Sequence, residues 1–483
     1  MQVDEIRKTY ENNQSTIATY TTDLDFLLLL LLLNHVILDF FSSLSHFIIF
    51  PSLFIITSLV FFFKSPSPLP NWKRLINWTT DLIRHSPLAT YLFHRPLGRH
   101  QVFTGNAANV QHILKTHFGN YEKGGVTKTT FWDLLGARIF NVDGEFWKFQ
   151  RQVSSHEFNT RSLRKFVETV VDDAKLNERL LPLLALRAKS GAVIDMQDIL
   201  QRFALTTYAR SQAFEDAVKI STERFVELFS VIWRIKRFFN VGFLKRLQIT
   251  ISEKRELSEK SSAAEDLLSR FLSSGHSDED FVVDIVISFI LASRDTTSAA
   301  LTWYSGYSAR TQRWRPKSGS TGYDDVKELV YTHASLYESM QIYPLVPLDT
   351  KEEVRDDVLE DGTLVKKGTR MTYHPYAMGR LEELWGKDWP EFMPERWLKA
   401  AEDGGEKWVF VGRDAFTYPA FQAGPRTCLG KEMAFVQMKR LVAGGLQQFK
   451  VVPAEEEGAE PVFDSYLTSK AQGGFPVRIE VRG

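Results

Sequence analysis

Apolar positions are spread unevenly along this chain. Residues 26–33 form an unbroken apolar run, and residues 47–63 form a second one, interrupted only by Pro51, Ser52, Thr57 and Ser58. Asn34, His35 and Asp39 break the stretch between them. The second run sits at the lower edge of what spans a bilayer as a helix. It predicts a membrane anchor over 47–63 behind an N-terminal extension, residues 1–46; the alternative is a buried core hairpin. Residues 64–70 alternate serine and proline, which gives a stiff, extended hinge. The remaining residues, 71–483, form the body and show no internal repeat.

Within the body, residues 144–190 and 195–204 place basic and apolar residues at helical spacing. Ser277 with Asp280 three positions later is a capping pattern. It precedes a nearly continuous apolar stretch, which predicts a helix buried on almost every side. That helix runs through Arg294, Asp295, Thr296 and Thr297 to Trp303. Further helices are predicted over 325–341 and 431–448. Residues 354–373, with Gly362 and Gly368 as turn positions, read as short strands, and 474–481 as a terminal strand. Helix outweighs strand, so the body is mainly α.

Charge adds two points. Lys+Arg and Asp+Glu are both 59, a net charge of zero, which argues against a nucleic-acid binder. Around the anchor the balance is lopsided. Residues 1–46 hold Arg7 and Lys8 against six acids, whereas 64–100 hold Lys64, Lys73, Arg74, Arg84, Arg95 and Arg99 against Asp81 alone. The positive-inside rule then predicts a single pass with the body in the cytoplasm.

The chain has one cysteine, Cys428, so neither an intrachain disulfide nor a cysteine-cluster zinc site is available. A lone cysteine is ordinarily a small buried hydrophobe, but its neighbours change that reading. Gly424 and Gly430 allow tight turns and close approach of a flat ligand. Arg426 stands two residues away, and a helix begins near Lys431 with its positive end toward the sulfur. All of these favour thiolate, a soft metal ligand and the axial ligand of one haem class. Gly424 to Lys431 superficially suggests a phosphate loop, but the glycine spacing is one too long and Glu432 stands where Ser or Thr belongs.

The segment from Phe421 to Gly430 resembles the haem loop of cytochrome P-450 monooxygenases, F-x-x-G-x-R-x-C-x-G. Trp147 and Arg151 match W-x-x-x-R, and 392–397 match F-x-P-E-R-[FW]. Residues 292–297 resemble A-G-x-[DE]-T-T. The resemblance implies the helical haem-thiolate fold with small β-sheets and haem b ligated through Cys428. Phe421 belongs to the haem-binding segment. Trp147, Arg151, Arg426 and Lys351 would face the propionates, and Asp295 and Thr296 would deliver protons. It implies electrons from a separate NADPH-dependent reductase, with Lys431, Lys439 and Arg440 as candidate docking charges. It further implies an endoplasmic reticulum membrane location. Residues 141–160, 411–414 and 473–479 resemble the plant branch that oxidises the terminal (ω) carbon of fatty acids and jasmonate conjugates, most of all the enzymes acting on hydroxylated jasmonoyl-isoleucine. Fatty-acid ω-hydroxylation is the close alternative.

Three departures from the pattern favour an inactive haem protein or pseudogene product instead. Gln341 stands where E-x-x-R, beginning at Glu338, has its Arg. Ser293 replaces a glycine. Residues 304–320 are basic and lose apolar periodicity, which predicts that the buried helix ends at Trp303. Residues 205–212 look like a junction across missing residues.

Overall fold

The structure, a computed structural model, describes residues 74–94, 100–155, 180–205, 279–310, 329–401, 408–446, 448–454, 463–465 and 468–482. The expected anchor over 47–63, its hinge and the 205–212 junction from residue 206 onward lie outside them. Among the described residues no helix is long and apolar enough to cross a membrane.

The chain enters through α1 (Leu75–His85) and the hairpin β1 (Thr90–His94) and β2 (His100–Thr104). Then come α2 (Ala107–Gln111), β3 (Tyr121–Glu122), α3 (Gly125–Leu135) and α4 (Gly144–Ser155). The next elements are α5 (Leu181–Ser190), β4 (Ile194–Asp195), α6 (Met196–Leu205), the long α7 (Glu279–Arg310) and α8 (Val330–Ile342). Four short strands follow: β5 (Asp349–Glu353), β6 (Asp357–Val358), β7 (Leu364–Val365) and β8 (Arg370–Tyr373). The chain continues through α9 (Pro375–Met378), α10 (Glu382–Trp385), β9 (Leu398–Ala400), β10 (Trp408–Phe410) and α11 (Lys431–Leu441). It closes with β11 (Phe449–Pro453), β12 (Phe463–Ser465), β13 (Ser469–Ala471) and β14 (Pro476–Val481).

The largest sheet has the order β1-β2-β8-β5-β3, antiparallel except for the parallel pair β2–β8. A second sheet, β11-β14-β4, packs its outer strand on α7. The hairpin β1–β2 and strand β5 have no forecast in the hydrophobic pattern. Strand β2 is buried by parallel pairing with β8, a contact across more than 260 residues that no local period records, and β5 pairs on the other edge of β8.

The core is organised by α7, which packs on α6, α8, α11 and β11. Its interior is rich in hydroxyls, a combination that needs each one satisfied. Thr302 and Ser305 donate back to Ser298 O and Leu301 O at 2.8 and 2.7 Å, and Ser298 donates to Asp295 O at 3.2 Å. The expectation that this helix stops at Trp303 is corrected: it continues to Arg310. Trp303 stacks on Tyr343 with centroids 4.0 Å apart, and Tyr307, one turn later, stacks on Phe392 at 4.6 Å. Aromatic rings spaced by four positions hold the helix where aliphatic periodicity is lost. Residues 311–320 lie outside the described set.

Other boundaries move little. The helix expected over 325–341 is Val330–Ile342, and the one over 431–448 ends its regular α geometry at Leu441, giving way to a wider turn over Val442–Leu446.

On α8, Glu338 is fully buried and has partners despite Gln341. It accepts from Arg396 Nε and Met393 N at 2.8 Å each, and from Trp397 Nε1 at 2.7 Å. Gln341 turns instead toward α9, donating through Nε2 to Gly379 O, while its Oε1 has no hydrogen-bond partner.

Candidate functional site

The cysteine loop is held by its own backbone. Cys428 N donates to Phe421 O at 2.9 Å, and Thr427 N donates to Gly424 O at 3.1 Å. Gly424 has φ +64°, and a Cβ there would lie 2.0 Å from Leu114 O. Glycine is therefore required both by conformation and by the backbone of the His112–Thr116 turn beside it. Ala434 N donates to Gly430 O at 2.8 Å as α11 begins, one residue beyond. Phe421 packs its ring 5.2 Å from Phe435 of that helix.

Burial pushes the Cys428 thiol up, opposed by the Gly430 N–H and the charges of Arg151 and Lys431. The residue is nonetheless exposed. Arg426, expected to act on the sulfur, faces elsewhere; Arg151 takes that electrostatic role. For the protein alone the net push is toward thiol, because burial outweighs the local groups that favour thiolate. A bound metal ion reverses it, because a coordinating thiol is deprotonated outright.

Trp147 and Arg151 lie on α4, four residues apart and hence on one face. Trp147 is buried, and both arginines lie over its ring: Arg426 at 4.4 Å and Arg151 at 5.9 Å from the centroid. Arg151 Nη2 donates to Thr427 O at 2.7 Å, which fastens α4 to the residue before the cysteine. Arg426 Nη2 donates to Asp143 Oδ1 at 2.6 Å and to Val142 O at 2.8 Å. Asp143 also pairs with Lys128 at 3.0 Å. Burial alone would raise its carboxyl, but Lys128 and Arg426 outweigh that and hold it below the usual range.

Lys351 is almost fully buried on β5, where its ammonium is 3.0 Å from Asp349 Oδ2. Asp349 also takes Lys123 at 3.2 Å, the Tyr373 hydroxyl at 2.9 Å and the Gln422 amide. Burial pushes the Lys351 ammonium down, and Asp349 resists. The Arg426 charge is felt at both Lys351 and Arg151, so the three cations share one neighbourhood. In the described contacts the cations Lys123, Lys128, Arg151, Lys351 and Arg426 outnumber the carboxylates Glu122, Asp143 and Asp349 that pair with them. An anionic group carrying carboxylates beside a thiolate-ligated metal fits this donor set.

On α7, the Thr296 hydroxyl donates to Ala292 O at 2.6 Å, and Asp295 is buried. This back-bonding loosens the helix ladder locally. Lys439 and Arg440, expected as docking charges, are buried at the end of α11; an electron donor cannot read them as surface charge. Lys431 lies 5.7 Å over Tyr337 and 5.8 Å over Phe421.

The residues missed by sequence reasoning are the counter-charges, Asp143 and Asp349, and the backbone buttress at Leu114. Asp349 had a usable signal: it lies two residues before Lys351, so both share one strand face.

The protein-family model described as "Cytochrome P450" matches residues 90–273 and 309–475. Cytochrome P450 94A1 of Vicia sativa is 52% identical over 452 residues, covering 85% of this chain and 88% of that protein. Cytochrome P450 94B1 of Arabidopsis thaliana is 41% identical over 454 residues, covering 85% of this chain and 88% of its own length. Cytochrome P450 94C1 of the same plant is 37% identical, with 85% and 91% covered. These alignments span more positions than 85% of 483 residues supplies, so the relatives carry internal residues that this chain lacks. The family binds haem through a cysteine thiolate, and the one cysteine of this chain is Cys428. The chain belongs to the cytochrome P450 family of monooxygenases.

Proposed function

We propose that this chain is a haem-thiolate monooxygenase that oxidises the terminal carbon of a fatty-acid-like or oxylipin substrate, hydroxylated jasmonoyl-isoleucine being the first to try. The observation that carries the reading is the sole cysteine beside Arg151, which shares the Trp147 ring with Arg426, whose charge in turn reaches Lys351. Cys428 is the axial ligand. The haem supplies the redox chemistry that activates dioxygen, with electrons from an NADPH-dependent reductase. Arg151, Arg426 and Lys351 hold its carboxylates. Thr296 keeps a proton at Oγ1 on the carbonyl of Ala292, and Asp295 beside it passes protons inward. The residues over 47–63 anchor the body to the endoplasmic reticulum membrane, and the acid–base asymmetry around them sets the cytoplasmic side. The ω-carbon specificity rests on the resemblance of residues 141–160 and 473–479 to the ω-oxidising branch.

A second reading, an inactive haem protein, is favoured by the unpartnered Gln341 Oε1. Reduced microsomes expressing the chain, treated with carbon monoxide, separate the readings in two steps. A red-shifted Soret band that disappears in Cys428→Ala establishes thiolate ligation. Terminal oxidation of a jasmonate conjugate or fatty acid then establishes turnover. A band without product from either substrate class supports the inactive reading, and no band overturns both.

A further inference from the structure

Away from the cysteine loop, three metal-ligating side chains converge where the His112–Thr116 turn meets β6. His112 Nε2 lies 3.0 Å from Asp357 Oδ2, and His117 Nδ1 lies 2.8 Å from the same oxygen. One ligand atom from each residue falls within 4.8 Å of the others. The imidazole centroids are 4.0 Å apart. None of these groups takes part in the oxygenase reading, and the inference does not depend on it.

The oxygen at the centre is over-subscribed. Asp357 Oδ2 also receives Asn120 Nδ2 at 3.2 Å and Tyr121 Oη at 3.1 Å. Tyr121 has one hydroxyl proton and can give it to Glu353 Oε1 at 3.2 Å instead, but both imidazoles and Asn120 still make three donors against about two lone-pair sites on one carboxylate oxygen. A cation between the two imidazoles and the carboxylate resolves the conflict: the imidazoles then give lone pairs to the ion and stop competing for the oxygen. His112 is set up for this. Its Nδ1 is 3.1 Å from Glu360 Oε1, and an Nδ1–H donated there leaves the lone pair on Nε2, the nitrogen facing Asp357. That is the outer-shell carboxylate arrangement that orients metal-bound histidine.

His112 is buried and His117 is 46% exposed, so an ion arrives from the His117 side and keeps a position for water. Two imidazoles with one carboxylate suit zinc and its neighbours, whereas calcium and magnesium require oxygen donors. We propose that His112, His117 and Asp357 form a binding site for a first-row divalent transition ion of the zinc class, with Glu360 orienting His112.

The full chain, untagged and freed of metal with a chelator, is titrated with zinc chloride at pH 7.5 by calorimetry. A competing site must be excluded: on the β1–β2 hairpin His94 Nδ1 and His100 Nδ1 lie 3.1 Å apart. The expected result is one equivalent bound, with affinity at least tenfold weaker in His117→Ala, about tenfold or more weaker in Glu360→Gln, and unchanged in His100→Ala. Circular dichroism verifies the fold of each variant. Both substitutions lie on exposed side chains, so a failure to fold in one leaves the other to decide. Absence of stoichiometric zinc, undiminished binding in His117→Ala and Glu360→Gln, or loss in His100→Ala overturns the site.

Discussion

Replacing Arg396 with Met removes the guanidinium from a fully buried carboxylate. Arg396 Nε donates to Glu338 Oε1 at 2.8 Å, while its other nitrogens reach Trp385 O at 3.2 Å and Asp388 O at 3.0 Å. The substitution leaves Glu338 with only the Met393 N–H and Trp397 Nε1 and removes the guanidinium from Trp385 O, while Asp388 O keeps the Glu391 N–H. Breaking a buried pair from one side costs about 3–5 kcal/mol. Against a total stability of about 5–15 kcal/mol, Arg396→Met leaves little or no folded protein at 37 °C if the total is at the low end. Titration fixes the sign. Burial raises the Glu338 carboxyl from 4.5 to about 7, against the pull of Arg396. Between those values the folded chain keeps a proton that the unfolded chain has released, so the contribution of Glu338 to stability falls as pH rises through that window. Without Arg396 the carboxyl rises further, and the loss is larger at pH 8 than at pH 5.5. Urea unfolding followed by tryptophan fluorescence measures the effect, with Glu338→Gln and the double variant completing the cycle. A loss below about 1 kcal/mol, or a double variant no more stable than Arg396→Met, would refute the reasoning.

Four further outcomes are expected. Gly424→Ala drives a Cβ into the Leu114 carbonyl at a left-handed backbone position, so haem content per purified chain should fall steeply even where protein is recovered. Asp143→Asn removes the carboxylate that Lys128 and Arg426 share. It should cost about 3 kcal/mol at pH 7, and the difference from the parent should vanish in chemical denaturation as pH falls below the depressed carboxyl range, because that stabilisation exists only while Asp143 is ionised. Thr296→Ala leaves the fold and the carbon monoxide spectrum intact but cuts product formed per NADPH consumed by about tenfold or more, read by parallel product and cofactor assays. Gln341→Leu removes the unpartnered buried Oε1 together with the donor to Gly379 O, so melting temperature should change by no more than a few degrees.

The ligand loop was legible because its chemistry is local: a cysteine, two glycines and an arginine within ten residues. The place of Thr296 and Asp295 on a long helix was legible for the same reason, as polar residues inside an otherwise apolar stretch. The counter-charges were not. Asp143 meets Arg426 and Asp349 meets Lys123 across gaps in sequence that hydropathy cannot bridge, and only the pairing of Asp349 with Lys351, two residues on, was within reach. The same limit explains Lys439 and Arg440, which look like a cationic surface and are covered by their neighbours. It also explains the end of α7, where stacked aromatics replaced the aliphatic period on which the expected boundary relied. The expected role of Arg426 on the sulfur failed for a geometric reason: two residues along a loop fix a distance, not a direction, and its guanidinium turned to Asp143.

The final strand has a bearing on timing. Strand β14 pairs with β4 and with β11, and just ahead of it Gly474 lies so close to Asp195 that a Cβ would be 2.3 Å from the carboxylate that caps α6. Phe475 sits where a side chain at Gly306 would be 3.3 Å from its ring, in the last turns of the longest described helix. These joins need the last residues to be made. During synthesis at about 5–20 residues per second the cysteine loop is made before β14, the central strand of its sheet, so a stop codon ahead of Pro476 leaves β11 and β4 without the strand that joins them.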